Sequence, residues 1–191
     1  YIYQYLPVSI NIYFRFLQFL FHNIICDEFL NMTTQQKILK LPTLKRKIVA
    51  LRKAGKTIAF TNGCFDILHY GHVSYLEQAK RKDRVLIVGL NSDASVRRIK
   101  GPERPINTQM NRAGILAALN CVDFVVIFDE ETPYRLICAL EPDVLIKGAD
   151  WKGKEVVGAD VVKARGGKVE LIHFVPNLST TNTIARIKGK R

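Results

Sequence analysis

Two histidines, separated by a tyrosine and a glycine, are the residues of this sequence best suited to chemistry. His69 and His72 follow a strand-like run, Thr57–Thr61, and a turn-rich stretch, and they open a helix-like run that begins at Val73. Side chains three residues apart at a helix start lie on one face. A helix start attracts phosphate through its unbonded N–H groups and its dipole, and Gly71 lets a large group approach the backbone. The pattern therefore predicts a site that holds a polyphosphate and stabilises charge on it.

Alternating strand-like and helix-like runs must position these histidines. The apolar runs are short and separated by helical patterns, which indicates a parallel sheet with right-handed crossovers. Continuous apolar runs are typical of strands that are covered on both faces. The predicted fold is therefore α/β, a single domain with about five parallel strands. The predicted strands are Thr57–Thr61, Val85–Leu90, Phe124–Phe128, Val144–Ile146 and Val169–Phe174.

Capping residues predict where three of the helices begin. Asn107 is placed to cap a helix, Thr132 followed by Pro133 predicts a second helix start, and Ser179 precedes the last helix. Asn, Thr and Ser accept hydrogen bonds from the first helical N–H groups, and proline is favoured at the first helical position.

Composition limits the classes of protein. A chain of 191 residues that is 48% hydrophobic can bury one sizeable core. Its four cysteines form no CxxC pair, which favours reduced thiols in a cytoplasmic protein and no metal site. The net charge of +12 is compatible with nucleic acid, acidic lipid or a phosphorylated substrate. Residues 32–53 are basic without aromatic residues, so we expect neither a nucleic-acid nor a membrane partner.

The first 31 residues differ from the rest of the chain. They hold nine of the eighteen aromatic residues, and Leu6–Cys26 is too interrupted by polar residues to be a strong membrane-spanning signal. The first methionine is Met32. We hypothesise that residues 1–31 are extraneous or upstream-translated and that the domain comprises residues 32–191. A membrane tether formed by residues 1–31 is the alternative.

Polar motifs follow four of the predicted strands. They are Thr61–Asp66, Asn91–Asp93, Lys147–Trp151 and Leu178–Thr181. In parallel sheets, ligands bind beyond the carboxyl ends of the strands. We therefore expect these motifs to meet at one edge of the sheet and to form one pocket.

In this order the motifs resemble those of the cytidylyltransferase-like nucleotidyltransferases. Their signatures are H-x-G-H after the first strand, here His69–His72, and S-[ST]-T at a late helix start, here Ser179–Thr181. Within that family the sequence is most similar to the adenylyltransferases of ADP-heptose synthesis, over roughly residues 43–188. The resemblance implies a Rossmann-like, doubly wound sheet. It also implies transfer of AMP from ATP to D-glycero-β-D-manno-heptose 1-phosphate, which yields pyrophosphate and ADP-heptose for the lipopolysaccharide core.

The resemblance also implies roles for particular residues. Phosphate is already ionised at neutral pH, so the reaction needs alignment and charge stabilisation rather than a general base. The catalytic residues implied are His69, His72 and Lys100. The nucleotide-binding residues implied are Thr61, Asn62, Gly63, Cys64, Phe65, Asp66, Gly71, Lys147, Gly148, Asp150, Trp151, Ser179, Thr180 and Thr181. The substrate-binding residues implied are Asn91, Asp93, Arg104 and Arg112.

Structural alternatives accompany several of these assignments. Asp66 either orients a donor or makes a turn, and Trp151 is nearly as well explained as a core aromatic residue. Lys100 and Arg112 have the alternative of a solvated, salt-bridging face, and Ser179 that of a plain helix cap. Mg²⁺ is expected to arrive with ATP, held by phosphate oxygens and water.

The partners and alternative activities follow from the same resemblance. Dimers are common in the family, so a homodimer is one expected assembly. The heptose kinase of the pathway is expected to be a separate protein. The runner-up activity is a cytidylyltransferase acting on glycerol 3-phosphate or a related alcohol phosphate. The segment Phe174–Leu178 lacks the arginine of that branch, which favours the heptose branch. A non-catalytic basic module is the alternative of another class.

Overall fold

The computed structural model describes residues 32–173, 175 and 178–189. The hypothesis about residues 1–31 and the predicted strand end at Phe174 lie outside these residues. Among the described residues, no helix combines the length and the apolar character needed to cross a bilayer.

Helices and strands alternate along the described chain, as predicted. The strands are β1 (Thr57–Gly63), β2 (Arg84–Asn91), β3 (Phe124–Phe128), β4 (Val144–Gly148) and β5 (Lys168–Ile172). The helices are α1 (Thr34–Lys37), α2 (Leu41–Lys53), α3 (Tyr70–Ala79), α4 (Asp93–Lys100), α5 (Gln109–Ala118), α6 (Tyr134–Leu140), α7 (Ala159–Ala164) and α8 (Thr180–Ile187). A short 3₁₀ helix, Ala149–Trp151, follows β4.

The five strands form one parallel sheet in the order β3-β2-β1-β4-β5. Alternate residues of each strand enter separate cores on the two faces of the sheet. On β1, Ile58 and Phe60 belong to one core and Ala59 to the other. Helices α2, α6 and α7 cover the first core, and α3 and α5 cover the second. The predicted doubly wound α/β sheet is confirmed.

The structure corrects two predicted helix starts. Thr108, not Asn107, caps α5, because the Thr108 side chain accepts the Asn111 N–H. The Asn107 amide is used elsewhere, as a donor to the Asp66 carbonyl. Helix α6 begins one residue later than predicted, since Pro133 is its N-cap rather than its first helical residue.

Candidate active site

The two histidines stack on each other at the start of α3. His69 is the N-cap with extended backbone, and His72 lies in the first turn. Their ring centroids are 3.8 Å apart and their planes differ by 22°. A Cβ at position 71 would lie 3.1 Å from His69 Nδ1. Gly71 therefore makes room for the imidazole of His69 itself.

Burial keeps this pair neutral at pH 7. It lowers the pKa of His72 to about 4, with the neighbouring His69 as a second cause, and it lowers the pKa of His69 as well. Within the described residues, neither Nδ1 atom has a hydrogen-bond partner although both are buried. Each neutral imidazole carries one N–H donor, so the pair presents hydrogen-bonding capacity that the described protein does not use.

The loop before the histidines is held in an uncommon backbone conformation. Phe65 has φ 43°, in the left-handed region that non-glycine residues rarely adopt. Its buried ring lies 5.2 Å from the His72 ring, between centroids. A Cβ at Gly63 would lie 3.0 Å from the Phe65 ring. Phe65 and Gly63 thus shape the wall against which His72 packs.

Asp66 anchors the loop that connects α4 to α5. Its side chain is 1% exposed and forms an ion pair with Nε of Arg104. The same carboxylate accepts the backbone N–H of Ile106 at 2.7 Å and that of Asn107 at 3.1 Å. Of the two roles considered for Asp66, the geometry fits the one that orients a donor, here Arg104. A direct contact between Asp66 and the nucleotide stays a prediction.

Arg112 is a buried junction of three segments, so the alternative of a solvated face is wrong for this residue. It is 1% exposed. The guanidinium donates to the carbonyls of Asn107 and Cys64 and, at 2.8 Å, to Oδ1 of Asp93. The structure brings Arg112 and Asp93 together, and the contact fixes the framework of the site. Their contact with the sugar phosphate stays a prediction.

A positively charged groove of about 250 Å³ lies between the α4–α5 loop and α8. It is lined by Lys100, Arg104, Thr181 and Lys188, among others. Lys100 is exposed at the end of α4. Burial raises the pKa of the Cys64 thiol, while Lys100, Arg112 and Arg104 oppose that shift. The charges of the groove residues Lys100 and Arg104 therefore act on the loop before the histidines.

Thr61 and Asn91, which were predicted to contact the substrates, have buried side chains that bond to other protein residues. Thr61 is fully buried, and its hydroxyl lies 2.8 Å from the Tyr75 hydroxyl of α3. Asn91 is also buried, and its amide donates to Ser95 at 2.9 Å. Through their side chains, Thr61 and Asn91 hold α3 and α4 against the strand ends.

The end of β4 and the short helix after it lie beside the end of β1. Lys147 is 7% exposed and donates from Nζ to Oδ1 of Asn62. Its ammonium lies 5.5 Å from the centroid of the half-buried Trp151 ring. Gly148 is the N-cap of the 3₁₀ helix, in which Asp150 is exposed.

The start of α8 is capped by its own predicted motif. The Ser179 hydroxyl accepts the Asn182 N–H at 3.0 Å, so the capping role is present. Thr180 donates to the carbonyl of Ile67, which precedes the histidines by two residues. Helix α8 is thereby joined to the segment that carries His69.

Sequence reasoning missed Lys188 and Tyr75 as parts of this region. Lys188 lines the groove and pairs with Glu103 at 3.1 Å, although none of the sequence motifs includes it. The spacing of Thr181, Ile184 and Lys188 along one helix face could have indicated it. Nothing in the spacing of Tyr75 indicates its bond to Thr61.

No group of three or more His, Cys, Asp or Glu residues in the described part of the chain could hold a metal ion. The donors present do not fit a resident divalent cation, since Mg²⁺ is bound through carboxylates, phosphates and water.

A parallel α/β sheet with stacked histidines at a helix start, beside a basic groove and a second helix start, defines a nucleotidyltransferase domain. The cytidylyltransferase-like family model matches residues 60–185. The chain belongs to the cytidylyltransferase-like family.

The chain is also similar to curated relatives named bifunctional protein HldE. The HldE of Geotalea uraniireducens is 57% identical over 152 residues, which are 80% of this chain and 31% of that protein. The HldE of Syntrophotalea carbinolica is 54% identical over 151 residues, 79% of this chain and 31% of that protein. The chain thus spans about a third of the length of these relatives.

Two solved structures share the fold. A lipopolysaccharide core biosynthesis protein from Thermoplasma volcanium is 27% identical with a TM-score of 0.51, over 62% of this chain and 96% of that one. A pantoate-beta-alanine ligase from Francisella tularensis is 18% identical with a TM-score of 0.53, over 79% of this chain and 76% of that one. The second likeness concerns the fold alone.

Proposed function

We propose that this chain is an adenylyltransferase that transfers AMP from ATP to D-glycero-β-D-manno-heptose 1-phosphate. The products are ADP-heptose, for the lipopolysaccharide core, and pyrophosphate. The observation that carries the proposal is the stacked pair His69 and His72, in a chain 54–57% identical to HldE proteins over the matched part. Because those relatives are named as bifunctional and this chain matches about a third of them, we assign it one of the two activities.

The proposed chemistry is an in-line displacement at the α-phosphorus of ATP. An oxygen of the sugar phosphate forms the new P–O bond as the bond to pyrophosphate breaks, and no proton must be removed from the nucleophile. The need is for donors aimed at oxygens on which charge develops. His69 and His72 provide such donors at the start of α3, and the start of α8 provides more through Ser179 and Thr181.

The cations around the groove divide into two groups in this proposal. Lys100 is exposed and lies where it can meet phosphate oxygens of either substrate. Arg112 is buried with three protein partners, so it fixes the positions of Cys64 and Asp93. Mg²⁺ enters with ATP as part of the substrate and neutralises part of its charge.

The proposal is tested by incubating the protein with Mg²⁺, heptose 1-phosphate and either ATP or CTP while pyrophosphate is measured. ATP is expected to give pyrophosphate and ADP-heptose. Absence of pyrophosphate with ATP, or faster release with CTP, contradicts the assignment and favours the cytidylyltransferase alternative.

Replacement of His72 tests its role in the transition state. His72→Ala should lower kcat by about two to three decades, since one donor to the transition state is lost. KM for ATP should change by less than about threefold if the donor acts mainly in the transition state. His72→Asn, which retains an N–H donor, should lose less activity. Near-normal turnover of His72→Ala would show that the motif is structural.

A further inference from the structure

A hydrogen bond between two side chains joins β1 and β4 at the carboxyl ends of the strands. Strands β2 and β3 lie on one side of β1, and β4 and β5 lie on the other. The direction of strand order reverses between β1 and β4, the place where open α/β sheets bind ligands. Lys147 near the end of β4 donates to Asn62 near the end of β1, across this point.

The chemistry of the two groups sets the orientation of the Asn62 amide. An ammonium has three N–H donors and no acceptor. A side-chain amide has an acceptor oxygen on one side and an NH₂ group with two donors on the other. The oxygen must therefore face Lys147, and Nδ2 must face away from it. Within the described residues Nδ2 donates to no partner, and Asn62 is only half-buried.

Placing a lysine here is unfavourable for stability alone. Lys147 is 7% exposed, and burial lowers its pKa to about 8 against the opposing charge of Asp150. A buried charge is often replaced by an apolar side chain of similar volume without loss of stability. The lysine contributes something that an apolar residue cannot, namely an N–H donor to the side-chain oxygen of Asn62.

We propose that Lys147 is a positioning residue that turns the Asn62 amide so that Nδ2 donates to the nucleoside part of the bound nucleotide. The Trp151 ring lies beside the Lys147 ammonium and offers a flat surface to a base, so we place the nucleoside on this side of the site. The phosphates are met elsewhere, by the histidine pair, the start of α8 and the groove of Lys100. This inference rests on the proposed function, since it requires a nucleotide at this edge of the sheet.

Binding measurements with substituted proteins test the positioning role. Lys147→Met removes the donor at similar volume, so the Asn62 amide is no longer held. The dissociation constant for ATP should rise about tenfold, the value of one well-placed hydrogen bond. Asn62→Asp keeps an oxygen for Lys147 but loses Nδ2, and it should weaken ATP binding by at least as much. Lys147→Gln keeps an N–H donor and should restore affinity to within about threefold.

The controls separate positioning from charge and from folding. Binding of inorganic tripolyphosphate should be unchanged in all three variants. Lys152→Met removes the same charge from an exposed position nearby and should leave ATP affinity unchanged. The urea midpoint of Lys147→Met should equal or exceed that of the parent protein. Trp151 is the chain's single tryptophan, so its fluorescence reports nucleotide binding, and calorimetry gives an independent value.

The other outcomes contradict the positioning role of Lys147, and they show whether the proposed function fails with it. Equal loss of ATP and tripolyphosphate affinity in Lys147→Met would make the lysine a phosphate contact and leave the proposed function standing. Parent-like ATP affinity of Lys147→Met would remove the positioning role alone. A large loss of stability without rescue by Lys147→Gln would make the role structural. A parent protein that binds tripolyphosphate but not ATP would overturn both proposals.

Discussion

Removing the Asp66 carboxylate should destabilise the fold far more than removing an exposed acid of the same loop. Asp66→Ala deletes the acceptor of two backbone N–H groups, at Ile106 and Asn107, and the partner of Arg104. Both hydrogen bonds are part-buried, and a hydrogen bond to a charged group contributes about 1.5–3 kcal/mol. Arg104 is 17% exposed on its side chain and can turn toward water, so the loss of its partner adds little. The expected decrease in the free energy of unfolding is about 3–5 kcal/mol.

Two further variants isolate the cause. Asp66→Asn keeps one acceptor oxygen for the N–H pair and loses only the charge toward Arg104, so the decrease should be about 1–2 kcal/mol. Glu103 is 81% exposed in its pair with Lys188, and Glu103→Ala should cost less than about 0.5 kcal/mol. The measurement is urea unfolding followed by circular dichroism. A decrease below about 1 kcal/mol for Asp66→Ala, or equal effects of Ala and Asn, would refute the argument from backbone N–H groups.

The histidine pair gives two more predictions. Between pH 7.5 and 5 the urea midpoint should fall as pH is lowered, because the unfolded chain binds a proton at His72 below about 6.5 whereas the folded chain does so only near 4. His72→Asn should flatten this slope, and an unchanged slope would contradict the lowered pKa of His72. The pH range stops above 4.5 because Arg84 lowers the pKa of Glu170 to about 2, so the stability that Glu170 contributes is lost below that pH. Gly71→Ala places a Cβ 3.1 Å from His69 Nδ1, so kcat should fall at least tenfold while stability changes by less than about 1 kcal/mol. Gly114→Ala, whose Cβ meets nothing within 4 Å, is the matched control and should keep full activity, so equal kcat values in both variants would show that the stacking is not needed.

The sequence was sufficient to predict the sheet because each strand is marked by its own apolar run. Val85–Leu90 reads as a buried strand without reference to any other segment, and β2 is buried along its whole length. The histidine pair could be predicted for the same reason, since side chains three residues apart at a helix start share a face. Local spacing determines both features.

Contacts between distant segments could not be read from the sequence. Lys147 and Asn62 are 85 residues apart, and their bond depends on β4 lying beside β1 rather than beside β3. The burial of Arg112 likewise depends on how α5 meets the loop after β1. A sequence pattern assigns charged residues to solvent by default, because burial of a charge is costly unless partners satisfy it, and those partners are visible only in the fold.

The polar residues at this edge of the sheet form two groups, those whose hydrogen bonds are made within the protein and those whose hydrogen bonds are not. Asp66 and Arg112 are saturated by backbone and side-chain partners and therefore hold the loops in place. His69 and His72 have buried Nδ1 atoms without partners in the described part of the chain. Stacked at 3.8 Å, the two rings cannot both become cations cheaply, so in the proposed reaction they would be neutral donors until phosphate arrives. Phosphate would raise their pKa values, and the positive charge would then form beside the oxygens where negative charge develops. Such a site would stabilise the proposed displacement at phosphorus without a base, which is the chemistry a phosphate nucleophile requires.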